Sequence, residues 1–141
     1  ATMRNEGDVV VTIAERPAPV RCNKGMRVVP DCTFAGAPPL DVVLVPGGQG
    51  TRCELDNPIL IAWLRAAGER CTWVTSVCTG ALLLHEAGFA RGRRVTTHWA
   101  FVETLRARGD ITVCTSLLAP RFPVAGSWLL RTRPSWREWP S

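Results

Sequence analysis

At 141 residues, 46% of them hydrophobic and 21% charged, the chain has the length of one domain and the composition of a globular fold. No apolar stretch reaches the ~20 residues of a membrane span, and Arg4, Glu6 and Asp8 do not fit a secretory signal. The net charge of +5 sits mostly in the tail, where Arg121, Arg131, Arg133 and Arg137 oppose only Glu138, so no nucleic-acid footprint is expected.

Strand-like and helix-like segments alternate along the chain, which predicts an α/β fold with a mostly parallel sheet. Residues 8–13 form a β-branched run and read as a strand. A shorter run at 27–29 is halted by Pro30. Residues 41–45 are an apolar strand of the kind buried on both faces, ended by Pro46-Gly47-Gly48. Asn57-Pro58 then opens a helix whose apolar residues Ile59, Leu60, Trp63, Leu64 and Ala67 share one face, with Gly68 as its expected stop.

A strand at 72–77 runs directly into a helix at 79–87, closed by Gly88. A strand at 94–97, a helix at 99–108 with Gly109 as its stop, and a strand at 111–113 complete the pattern. Four of the eleven prolines and three of the six tryptophans lie beyond Cys114, where no period is evident. The expected organisation is therefore one domain over 1–113 followed by an atypical Pro/Trp/Arg-rich tail over 114–141.

The six cysteines (22, 32, 53, 71, 78 and 114) form neither a compact disulfide framework nor a Cys-x-x-Cys metal pair. They read as reduced thiols of a cytoplasmic protein that binds no metal. Four of them, Cys22, Cys32, Cys71 and Cys114, read as packing residues. Cys78 differs, because it stands where a buried strand turns into a helix among Ser76, Thr79 and Gly80. A helix N-terminus aimed at a thiol favours the thiolate, which makes Cys78 the candidate nucleophile.

Parallel strands place their carboxyl ends along one edge, where ligands bind. The Gly47-Gly48 turn and His98 both follow strands and are expected at that edge. Backbone N–H groups of the glycine turn could join the Thr79 amide as an oxyanion hole, or the glycines could serve only a tight turn. His98 could move a proton, or it could cap the helix that follows it. His85, in the middle of a helix, reads as structural or exposed.

Three stretches, 40–48 (Leu-Asp-Val-Val-Leu-Val-Pro-Gly-Gly), 75–80 (Thr-Ser-Val-Cys-Thr-Gly) and 95–99 (Val-Thr-Thr-His-Trp), together resemble the ThiJ/PfpI superfamily, a branch of the class I glutamine amidotransferase-like fold. The resemblance implies a flavodoxin-like parallel-sheet sandwich with helices on both faces. It also implies catalytic Cys78, Thr79 and His98, with Gly47, Gly48 and Gly80 lining the oxyanion or substrate site, and no cofactor. Members with Cys-Thr-Gly look most like isonitrile hydratases, which form N-substituted formamides, and the same signatures occur in sensing domains of AraC-type regulators.

PfpI-type peptidases carry Cys-His-Gly and an acidic residue after the glycine turn; Thr79 and Arg52 stand at the comparable places here. The family's opening strand and helix, with their acidic residue, and its closing strand and helix are not recognisable, so the fold is expected to be incomplete at both ends. Partners implied are a small-molecule substrate or ligand and a second copy in a homodimer, with neither nucleic acid nor membrane. The alternative functions are a ligand- or redox-sensing module and an inactive truncated relative.

Overall fold

The computed structural model describes residues 7–114 and 127–131. The chain divides into two compact units, Ala1–Pro39 and Leu40–Ser141.

Within the first unit, β1 (Ile13–Ala14) pairs in parallel with β4 (Cys32–Thr33), and β2 (Val20–Arg21) pairs antiparallel with β3 (Arg27–Val28). The strand expected at 8–13 is thus confined to its end, with Val9 and Val10 exposed. β-branched composition suits a strand, but a ladder needs a partner, and pairing here begins only at Ile13. Just before it, the Thr12 amide and hydroxyl both donate to the Asp31 carboxylate at 2.7 Å, and the Asp31 amide returns a bond to the Thr12 hydroxyl at 3.0 Å. Those donors hold the Asp31 carboxyl below its ordinary range.

The second unit contains a sheet ordered β5 (Val42–Val45), β6 (Trp73–Val77), β9 (Ser127–Arg131). β5 and β6 run parallel with Val45 opposite Ser76, whereas β9 is antiparallel to β6. β9 lies inside the stretch for which the sequence offered no periodic pattern. Its apolar centre, Trp128-Leu129-Leu130, is too short for a period to distinguish strand from helix. A separate parallel pair joins β7 (Arg94–Val95) to β8 (Thr112–Val113).

The helices are α1 (Thr51–Glu54), α2 (Pro58–Arg70), α3 (Gly80–Glu86) and α4 (Val102–Arg106), the last preceded by a 3-10 turn at Trp99–Phe101. Asn57 caps α2 by accepting from the Ile59 and Leu60 amides, and Pro58 occupies the first turn, where its missing N–H costs nothing. Gly68 does not stop α2, which continues to Arg70. It is instead the place where the Phe89 ring lies against the helix, since a Cβ there would meet that ring at 2.4 Å.

Two apolar clusters share α3. Val43, Val45, Leu64, Ala67, Cys71 and Val74 pack with Leu83, Leu84 and Ala87. On its other side Ala81 and Leu82 pack with Ala90, Val95 and Leu105. Every residue from Gly80 to His85 is buried, as befits a helix that is apolar all round. β5 is one-sided by contrast: Val43 and Val45 face the cluster, while Val42 and Leu44 are 50% and 59% exposed.

Candidate functional site

The site is built where the ends of β5 and β6 meet the start of α3. Cys78 occupies the turn between β6 and α3 with φ of +56°, a left-handed backbone that a side-chain-bearing residue adopts at a cost of roughly 1–2 kcal/mol. Such strain persists only where the surroundings enforce it. Here the turn after β5 presses against the elbow. A Cβ on Gly47 would stand 2.7 Å from the Cys78 Cβ and 2.8 Å from the Thr79 nitrogen. Gly80 approaches equally closely, its missing Cβ lying 2.3 Å from the Val45 carbonyl oxygen. The Thr97 hydroxyl donates to the Cys78 carbonyl at 3.1 Å. Gly47, Gly48, Cys78, Thr79 and Gly80 are thereby brought together, with Thr97 beside them.

Thr79 caps α3 with its backbone, but its side chain makes no capping bond. The hydroxyl turns to the glycine turn instead, accepting from the Gly48 amide at 2.9 Å and lying 2.9 Å from the Thr51 hydroxyl. The Gly48 N–H, expected to point at a substrate anion, is thus engaged by Thr79. Sequence reasoning overlooked Thr51, which is buried and donates to the Gly48 carbonyl at 2.7 Å. The signal available was a hydroxyl residue three positions after Gly48, a spacing suited to bonding back to the turn.

His98 lies one residue from Thr97, and its Nδ1 accepts from the Ala100 amide at 3.2 Å, capping the 3-10 turn. That bond leaves Nε2 as the ring's second polar atom. Among the described residues no hydrogen bond joins His98 to Cys78. The His98 ring packs on Trp99 and Phe101, and the Arg52 guanidinium sits 5.0 Å from the Phe101 ring centre in a cation–π contact. Trp99 is 81% exposed. The described residues hold no cluster of three or more His, Cys, Asp or Glu able to bind a metal.

His85 is structural. It is buried on α3, and its Nε2 lies 2.6 Å from Asp110 Oδ1, with Arg91 on the other carboxylate oxygen at 3.7 Å. The His85 hydrogen bond holds the Asp110 carboxyl below its ordinary range. A carboxyl lowered by folding contributes stability above its unfolded value of about 4 and loses it as pH falls through the lower folded value. Asp110→Asn is therefore expected to destabilise the protein at pH 7. That deficit should shrink as acid protonates wild-type Asp110, which urea unfolding at pH 7 and pH 3 measures.

A parallel β/α arrangement with a cysteine on a strained strand-to-helix elbow defines an α/β protein of the flavodoxin-like kind. The chain belongs to the DJ-1/PfpI family, whose model matches residues 1–119. It is 40% identical to isonitrile hydratase from Pseudomonas putida over 95 residues, covering 67% of this chain and 42% of that protein. A 50-residue stretch is 44% identical to an HTH-type transcriptional regulator from Mycobacterium tuberculosis, covering 36% of this chain and 19% of the regulator. Among solved structures, a THiJ/PfpI family protein from Pseudomonas syringae superposes with a TM-score of 0.67 at 33% identity, covering 72% of this chain and 43% of that one. The chain thus spans less than half the length of each of these three relatives.

No helix among the described residues is long and apolar enough to cross a membrane.

Proposed function

We propose that the protein is a cysteine-dependent hydratase of the isonitrile-hydratase type, converting an isonitrile and water to an N-substituted formamide. The observation that carries this reading is Cys78 held at positive φ on the elbow, with the Gly47-Gly48 turn packed against it. The 40% identity to isonitrile hydratase supports the choice of substrate.

In the proposed reaction the Cys78 sulfur bonds the terminal isonitrile carbon, and the thiol proton is delivered to that same carbon, giving a thioimidate. Water then adds to this carbon, the C–S bond breaks with its electron pair returning to sulfur, and a proton reaches nitrogen. The sum is one isonitrile plus one water giving one formamide, with the thiol regenerated and no cofactor consumed. His98, through Nε2, is proposed to move these protons, and Thr79 to set the elbow. Gly47 and Gly80 allow the close backbone approach that shapes the proposed substrate site, and Gly48 supplies the positive φ that turns the chain there. A homodimer and a cytoplasmic setting belong to the same proposal.

Incubation with cyclohexyl isocyanide and detection of the formamide by mass spectrometry tests the reading. Wild type should form product, and Cys78→Ser should lower the rate on the order of a thousandfold, the scale of loss for a removed nucleophile. No product from wild type, or equal product from the variant, overturns it.

The similarity to a transcriptional regulator favours a second reading, a sensing module in which Cys78 binds or is oxidised without turnover. Mild peroxide should then modify Cys78 ahead of the other five cysteines, as peptide mass spectrometry would show.

A further inference from the structure

We propose that Thr51 is a positioning residue for Cys78, its hydroxyl closing a ring of hydrogen bonds that holds the Gly48 turn against the nucleophile elbow. This inference rests on the reading of Cys78 as the reactive thiol.

The ring follows from counting protons. The Gly48 amide can only donate, and it donates to Thr79 Oγ1 at 2.9 Å. Each threonine hydroxyl carries one proton and accepts freely. Thr51 makes the shortest of these contacts, 2.7 Å to the Gly48 carbonyl, and so spends its proton there. The Thr79 proton then points to Thr51 Oγ1 at 2.9 Å, with the Gly48 carbonyl a longer alternative at 3.2 Å. The cycle runs Gly48 N–H to Thr79, Thr79 to Thr51, and Thr51 back to the Gly48 carbonyl, so every donor in it is satisfied.

Thr51 and Thr79 are 5% and 4% exposed, which removes water as a substitute partner. Chains of this kind strengthen in a low-dielectric interior and fail together when one member is lost. The strained φ of Cys78 needs restraint from several sides. Thr97 holds its carbonyl and Gly47 its Cβ side, and the ring clamps the residue that follows it. Removing the Thr51 hydroxyl leaves Thr79 with the longer alternative, loosens the turn and lets the thiol drift from its reactive setting.

The test is iodoacetamide labelling followed residue by residue with mass spectrometry. Cys22, in the other unit, serves as the reference, and buried Cys71 reports unfolding. Thr51→Val is expected to slow Cys78 labelling relative to Cys22 about fivefold while Cys71 stays protected. Thr51→Ser, which restores the hydroxyl, should remain within about twofold of wild type. A merely structural role would not produce that serine rescue with Cys71 protected in both variants. Equal Cys78 labelling in wild type and Thr51→Val, or an equal loss in Thr51→Ser, overturns the proposal.

Should Thr51→Val expose Cys71, hydrogen exchange of the Gly48 amide in wild type decides. Protection supports the ring, and exchange at the rate of an open loop overturns it. Wild-type Cys78 labelling no faster than Cys22 would instead sink the reactive-thiol reading, and that is visible before any Thr51 variant is made.

Discussion

Cys78→Gly is expected to unfold about 1 kcal/mol less readily than Cys78→Ala, although both abolish any reaction that needs the thiol. Each variant deletes the sulfur and its packing, so the difference between them isolates the backbone. At φ of +56° an alanine Cβ still crowds the neighbouring carbonyl, whereas glycine does not. At an ordinary helical or strand position the order would reverse, since glycine costs roughly 0.5–1 kcal/mol relative to alanine through unfolded-state entropy. Urea denaturation of the two variants therefore measures the strain held at the elbow. An alanine variant more stable than the glycine variant by that ordinary ~0.5–1 kcal/mol would mean that the positive φ stores no strain. Under the proposed function, the expected order makes Cys78 a place where stability is exchanged for reactivity.

The second large effect is expected at Gly80. A Cβ there would lie 2.3 Å from the Val45 carbonyl oxygen and 3.0 Å from that of Pro46, both backbone atoms. Neither can swing aside as a flexible side chain would. Val45 is also fixed by its register opposite Ser76. Gly80→Ala must therefore push α3 away from β5, and α3 carries both apolar clusters. Overpacking of this sort costs about 3 kcal/mol or more, a large share of the roughly 5–15 kcal/mol that holds a domain folded.

Gly50→Ala makes the contrast, because nothing lies within 4 Å of a Cβ at Gly50 and its φ is −60°. That variant should stay within about 0.5 kcal/mol of wild type. Similar losses at the two glycines would show that the close approach at Gly80 is not what matters.

The parts of the fold set by local chemistry were legible in the sequence. The apolar run ending at Val45, the Asn57-Pro58 helix start and the strand entering Cys78 all carry their own signals, and all stand within a residue or so of expectation. Pairing was harder to read. Residues 8–12 look like a strand but have no ladder partner among the described residues, while Ser127–Arg131 lacks a strand pattern and finds one in β6. Gly68 looked like a terminator because a glycine's usual role is local, and its actual reason is the Phe89 ring from a distant turn.

The candidate site divides in the same way. Cys78 and the glycines announced themselves through spacing, and His98 through its place after a strand. Thr51's bond back to the Gly48 carbonyl has a local signal in its spacing. Its contact with Thr79 and the engagement of the Gly48 amide span 28 and 31 residues along the chain, which no local pattern encodes.

α3 forms a common wall between two clusters of buried residues, with the half-buried Leu55 packed against both. The elbow at its start therefore cannot loosen as a private event, because any opening that frees Gly80 also uncovers both sets of apolar side chains. Fluctuations at Cys78 are consequently tied to the cooperative unfolding of the surrounding unit rather than to fraying of one short helix. A substitution in either cluster, far from the thiol, reaches it by raising the population of that shared open state.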